Sequence, residues 1–387
     1  MKCLIIFLFF AFVSVSWSQW EECNNGLSDG LVLSFATSGN KIFVGTYIVG
    51  VYLSTNSGVN WTEKCNGILY KHVNTLSIYK DKIFAGTDSG LYVSTDNGDN
   101  WALKNCGSSL LIIKSIISHD SIIFTGTSEG VYISTDDGDT WLQKNNELNN
   151  TYIYSLAIRN ENIFAGTRDN GIYISTNYGE SWTEKNNGLT NFFVLSLFIN
   201  EYYLLAGTYG GGFYLSTDNG DSWLQRNNGL KNSAVNSIEA YDKNIFAGTW
   251  GNGIFLSTDY GKNWNEINTG LRNYSICSIK IHWNNIYAGT NGLGVYRAKL
   301  SDFGIIGVKE EQGDNTSINI YPNPAGERLT VSTGKLLPQE IKIYDMLGRL
   351  VLCVRTEGER TELDISFLPA GVYCLRAGGE TRMFVKE

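Results

Sequence analysis

Ser216-Thr217-Asp218-Asn219-Gly220-Asp221-Ser222-Trp223 recurs through the chain with small changes, at 54–61, 94–101, 134–141, 175–182 and 257–264. The closing residues are Trp61, Trp101, Trp141, Trp182, Trp223 and Trp264, spaced by 40, 40, 41, 41 and 41 residues. The third residue of each copy is short and polar: Asn56, Asp96, Asp136, Asn177, Asp218 and Asp259. Such a side chain bonds nearby backbone N–H groups, and the Gly two positions later supplies a positive φ without a Cβ clash. The tryptophan then opens the next strand and is large enough to pin it to a neighbour.

A period near forty residues built of short β-rich runs and glycine turns predicts an all-β repeat fold, a β-propeller. Each unit reads as four strands, as at 234–240, 244–249, 253–258 and 264–268. A Gly-Thr pair ends the second strand seven times, from Gly45-Thr46 to Gly289-Thr290, yet only six tryptophan turns exist. The seventh unit stops near Leu300 without a fourth strand. Trp20-Glu21-Glu22-Cys23-Asn24-Asn25-Gly26-Leu27 has the form of the fourth strand at 182–189, so the N-terminal segment is expected to close blade seven as a clasp.

The Ser-x-Asp-x-Gly-x-x-Trp pattern resembles the Asp-box, or BNR repeat, of sialidases, sortilin-type receptors, xyloglucanase-type glycoside hydrolases and photosystem assembly-factor-like propellers. That resemblance implies a peripheral folding device away from the active face, and so speaks to fold rather than function.

The order of domains follows from composition. Residues 1–18 read as a secretory signal: Lys2, then an apolar run from Leu4 to Val15, then Ser16-Trp17-Ser18. The run is too short for a transmembrane helix, and no other stretch approaches the length needed. The propeller is placed at 19–300 and a linker at 301–317. Residues 318–387 form short alternating strands between turns, which predicts a small Ig-like β-sandwich. Tyr321-Pro322-Asn323-Pro324, Ile343-Tyr344-Asp345-Met346-Leu347-Gly348-Arg349 and Leu368-Pro369-Ala370-Gly371-Val372-Tyr373 resemble the type A C-terminal sorting domain of the type IX secretion system of Bacteroidota. The resemblance implies the secretion machinery as a partner through 318–387, and a secreted or cell-surface destination. Cys353 and Cys374 lie on nearby strands there; a bridge and two buried thiols are both open readings.

Without residues 1–18 the chain holds 29 basic and 38 acidic residues, which disfavours nucleic acid or an anionic membrane as partner. His72, His119 and His282 have no metal-ligand spacing, so neither metal nor other cofactor is expected.

In a propeller the second-to-third and fourth-to-first strand connections share one face. After each Gly-Thr the repeats diverge, with Tyr47, Asp88, Ser128, Arg168, Tyr209, Trp250 and Asn291 in blade order. Variation on a uniform scaffold marks candidate ligand contacts. These are Tyr47, Asp88, Arg168, Asp169, Tyr209, Trp250, Asn291 and Arg272, with His72, Tyr152, Phe192, Phe193 and Tyr274 from the other loops. Exposed aromatics beside hydrogen-bonding groups suit an extracellular glycan or a protein segment. Loop residues that merely cap the ring are the alternative. A glycoside hydrolase would use a carboxylate pair drawn from Asp88, Glu147 and Asp169. A sialidase needs three arginines on its substrate carboxylate, whereas only Arg168 and Arg272 are placed on this face and Arg226 fills a scaffold slot. A purely assembling propeller that binds a protein partner is the third reading.

Overall fold

A computed structural model describes residues 18–28, 30–104, 106, 111–119, 121–149, 152–231, 234–305, 319–321, 325–332, 339–345, 349–356, 360–377 and 380–386. The signal segment up to residue 17, most of the linker, and 322–324 and 346–348 of the sorting motifs lie outside them. The chain forms two compact units that divide at residue 310.

Seven four-stranded antiparallel sheets make up the first unit. Blade 6 runs Val235–Tyr241, Asn244–Thr249, Gly253–Ser257 and Asn265–Glu266, from the innermost strand outward. The middle strands are buried on both faces because each blade is sandwiched between two others, so their sequences read as apolar runs. Blade 7 takes its outer strand from the other end of the chain. Glu21–Glu22 pairs antiparallel with Val295–Lys299, with Glu21 opposite Arg297 and Glu22 opposite Tyr296. The expected clasp is therefore present. Trp20 stands where a seventh turn would place its tryptophan, fully buried, and its indole N–H donates to Ile267 O at 2.6 Å. The chain after blade 7 continues into a short 3-10 turn, Leu300–Phe303, and Leu300 and Ile305 are buried beside Trp20.

The repeated turn works as its sequence suggests. In blade 5, Gly220 N–H donates to Ser216 Oγ at 2.8 Å and that hydroxyl donates to Asp218 at 2.7 Å. Asp218 also accepts the backbone N–H of Ser222 at 3.0 Å. Asn219 and Gly220 both adopt left-handed φ, 58° and 84°. Only acceptor oxygens are required, so Asn56 serves equally, accepting from Ser54 Oγ at 3.0 Å and Asn60 N–H at 2.9 Å. The turn delivers its tryptophan to the seam with the preceding blade. Trp223 Nε1–H reaches Lys185 O at 2.8 Å, and Lys185 forms an ion pair with Asp221.

The Gly-Thr pair has a separate task. A methyl group added at Gly207 would stand 2.5 Å from Val235 O and 2.8 Å from Val235 Cγ1, so glycine lets the next blade's inner strand close in. Thr208 Oγ1–H then donates to Gly212 O at 3.1 Å, fixing the base of the loop that follows. The same threonine contact recurs at Thr46, Thr87, Thr127, Thr167, Thr249 and Thr290.

Every inner strand carries a β-bulge just after its first residue. The extra residues are Leu33, Asn74, Lys114, Tyr154, Leu195, Asn236 and Cys277, one per blade at a common level. A bulge re-aims a side chain that regular pairing would hold between sheets.

The second unit has a three-stranded sheet of Asn319–Tyr321, Arg328–Ser332 and Arg360–Asp364, and a four-stranded sheet. The latter is ordered Leu350–Thr356, Gln339–Asp345, Gly371–Ala377 and Glu380–Lys386. Leu329, Val331, Ile341, Ile343, Leu363, Leu375 and Phe384 form their shared core. The first and last of these strands were not among those expected from the sequence. Cys353 and Cys374 are both free thiols. Cys353 pairs with Lys342 and Cys374 with Tyr344, so strand 339–345 lies between them. Two strand spacings, roughly 10 Å, exceed the reach of a disulfide.

Candidate binding face

The loop that follows Gly86-Thr87 holds Asp88 at the centre of a polar cluster. His72 Nδ1 lies 2.5 Å from Asp88 Oδ2, and Asn74 Nδ2–H donates to Asp88 Oδ1 at 2.8 Å. Lys114 Nζ–H donates to Asn74 Oδ1 at 2.7 Å and sits 3.9 Å from Asp88 Oδ1. Asn74 and Lys114 are the bulge residues of blades 2 and 3, so the bulges bring neighbouring blades into one network. Burial pushes the Lys114 ammonium below the ordinary lysine range, and the Asp88 charge offsets part of that. Burial likewise lowers the His72 imidazole below its ordinary range, and the Asp88 carboxylate opposes that shift. The Tyr47 ring meets His72 edge-on with centroids 4.2 Å apart.

Beside this cluster runs a row of rings from blades 4 and 5. Tyr152 stacks on Tyr154 at 5.1 Å, Tyr154 meets Phe193 edge-on at 4.9 Å, and Phe193 stacks on Tyr209 at 5.4 Å. Tyr154 is the bulge residue of blade 4. Arg168 lies over the Tyr152 ring at 5.6 Å. Burial raises the Tyr152 hydroxyl, with Tyr154 and Asp88 adding to the effect and Arg168 opposing it. Tyr152 therefore sits within electrostatic reach of both Asp88 and Arg168. The polar cluster and the aromatic row stand on adjoining blades, whose inner strands 113–119 and 153–159 pack together.

The other expected site residues divide. Trp250 and Tyr209 are half exposed, at 51% and 58%. Trp250 and Asn291 each bridge to the approaching inner strand, at Ser275 and Leu31. Asp169 is exposed on the Arg168 loop. Arg272 pairs with Glu22 at 3.3 Å and lines a cavity of about 250 Å³ with Asn24, Leu27 and Gly292 to Gly294, at the clasp. Lys231 makes the equivalent contact to Glu266 at 2.7 Å in the preceding seam. Glu147 occupies, at φ 65°, a turn that is glycine in other blades. The matching Gly188 has Trp223 O 2.2 Å from where a methyl would stand, which assigns this turn to a blade seam. The structure thus joins Tyr47 to Asp88 through His72, and Arg168 to Tyr209 through the row of rings, and joins neither Glu147 nor Arg272 to either group. Sequence reading missed Asn74, Lys114 and Tyr154. The available signal was a variable residue between a constant Val or Ile and a constant Ser or Thr. No group of residues fit to hold a metal ion occurs among the described residues.

Residues 319–387 match the family described as Secretion system C-terminal sorting domain. The chain carries a sorting domain, which indicates a secreted or outer-membrane-surface location, and no helix among the described residues is long and apolar enough to cross a membrane. No functionally curated protein matches the chain. Among solved structures it is similar to PorZ, a surface component of the type IX secretion system of Porphyromonas gingivalis. The TM-score is 0.59 at 15% identity, over 94% of this chain and 60% of that one. The extracellular domain of the one-component system BT4673 from B. thetaiotaomicron gives 0.62 at 17% identity, over 81% and 51%. YCF48 bound to a D1 peptide gives 0.60 at 13% identity, over 74% and 98%. The chain spans about half to three fifths of the first two. At these identities the likeness is one of fold, the β-propeller.

Proposed function

We propose that this is an exported binding propeller that recognises an extracellular glycan or protein through the arc on blades 1 to 5. The observation that carries the reading is the unbroken row Tyr152–Tyr154–Phe193–Tyr209 beside the His72–Asp88–Lys114 cluster. Aromatic surface next to oriented donors is what a sugar ring or a peptide segment requires. Peptide binding by YCF48, a propeller of similar fold, supports including protein ligands. We read the repeated turns as Asp-boxes that serve only the scaffold. The segments are taken as a signal at 1–18, the propeller at 19–300, a linker at 301–317 and the sorting domain at 318–387, with the secretion machinery as partner of the last.

Hydrolysis finds less support. Both Asp88 oxygens are already engaged, and Glu147 belongs to a seam turn rather than to the arc. The test is a glycan array and a pull-down with the purified chain, with reducing-sugar release assayed on each hit. Tyr209→Ala should weaken a genuine ligand roughly tenfold without sugar release. Release that disappears on Asp88→Asn would replace this reading with the hydrolase.

A further inference from the structure

Resting on that reading of the binding face, we propose that its ligand is a polypeptide, which lays an apolar segment on Tyr47, Ile48, Leu69 and Tyr70 at the seam of blades 1 and 2. Tyr47 and Ile48 lie on the loop that follows Gly45-Thr46, and Leu69 and Tyr70 on the connection into blade 2. The two loops abut. The Tyr47 ring meets His72 at 4.2 Å, and a methyl group at Gly50 would stand 3.0 Å from Cys65 Cβ and 3.9 Å from Lys71 Cβ. All four side chains are large and exposed, Ile48 at 68% and Leu69 at 79%.

The scaffold does not require them. Leu69 comes eight residues after its tryptophan, where the other six connections carry only polar residues, Ser28 and Arg272 among them. Tyr70 stands where five of those six carry Asn or Asp. Ile48 takes the place of Asp169, Gly210, Gly251 and Gly292 in the loops of equal length. The same turns are thus built elsewhere in the ring from polar residues and glycine. An exposed apolar group gathered on such a scaffold marks a surface that a partner covers.

The two aliphatic residues select the partner. A sugar stacks on a flat ring and bonds to polar groups, and a branched aliphatic side chain offers neither. The apolar side chains of a polypeptide are held by such a surface through the hydrophobic effect. Charge points the same way. Lys71 Nζ lies 3.6 Å from Glu63 Oε1, and Lys114 Nζ lies 3.9 Å from Asp88 Oδ1, so two ammonium groups at the rim are matched by two carboxylates. An apolar centre with a polar rim is the anatomy of a protein interface, and a rim of balanced charge fits an uncharged segment. An anionic lipid surface calls for an excess of cations, which this rim lacks.

The full chain is panned with a phage-displayed library of random dodecapeptides, with depletion on the double variant Ile48→Asp/Leu69→Asp. The expected result is enrichment of segments rich in Leu, Ile and Phe. As synthetic peptides these should bind the parent chain and lose roughly tenfold or more in affinity for Leu69→Asp. Leu69→Ser, which introduces the residue found at the matching position 28, should weaken them in the same direction and melt with the parent, which separates lost contact from lost fold. Peptides that bind the parent and both Leu69 variants alike overturn the proposal. So does binding to phosphatidylglycerol vesicles, or a dimer in sedimentation, that Leu69→Ser abolishes, because the patch then serves a lipid surface or a second copy. A glycan-array hit that is lost in Tyr209→Ala and kept in Leu69→Ser leaves the binding face standing and removes only the polypeptide. If neither peptides nor glycans bind, both readings fall together.

Discussion

Trp223 couples two blades through one side chain: its ring is 5% exposed in a core shared with blade 4, and its N–H closes on Lys185 O. Trp223→Ala should therefore cost roughly 3–5 kcal/mol in chemical denaturation. Trp223→Phe keeps most of the packing and gives up only the hydrogen bond, about 1 kcal/mol. A loss below 1 kcal/mol for the alanine variant would mean that the seam repacks without it. At this scale the residues of the proposed binding face were partly legible. Asp88, Arg168 and Tyr209 stood out because each follows a constant Gly-Thr, and a changing residue on a constant base is visible in a single sequence. Lys114, Asn74 and Tyr154 were not, because they sit inside strands whose alternation looks regular. Only the pairing of Ile113 with Thr127 and Ser115 with Gly126 shows that Lys114 is the extra residue. The ion pair of Arg272 was not legible for a related reason: its partner Glu22 lies far away in sequence.

The repeated turn is an element whose stability depends on pH. Hydrogen bonds from Asn263 and Ser257 hold the Asp259 carboxyl down at about 2, and Asp96, Asp136 and Asp218 are lowered by the same geometry. These pKa values are depressed in the folded state, so their contribution is complete above the ordinary aspartate pKa, about 4. It is lost as pH falls through the folded values. Urea midpoints measured between pH 5 and pH 2 should fall with acidification, and Asp259→Asn should flatten that slope. Asn56 and Asn177 show that an amide oxygen can fill the position, so the variant should fold. An unchanged slope would remove the turns as the source. In the second unit, five strands were legible from alternation between turns. Asn319–Tyr321 and Glu380–Lys386 were not, the former for its three-residue length and the latter because it borders the chain end without a following turn.

On the scale of the whole molecule, the count of seven came from the seven Gly-Thr pairs, and the closure from the likeness of 20–27 to 182–189. Deleting residues 19–24 removes Trp20 and the clasp strand, and leaves blade 7 three-stranded. The loss should exceed that of any single tryptophan truncation, above roughly 5 kcal/mol. Limited proteolysis should then cut first within 276–299, and a ring that resists cleavage there would show that closure does not need the clasp. The arrangement of this clasp also decides how the ring behaves under tension. Glu21 lies beside Arg297 and Cys23 N–H bonds Val295 O, so the two strands leave the pair at the same end. A pull applied between residues 18 and 300 would peel the rungs one after another rather than shear them together. Blade 7 is thus the mechanical weak point of a ring that is otherwise continuous, and stretching would open it there while blades 1 to 5, with the proposed binding face, stay assembled.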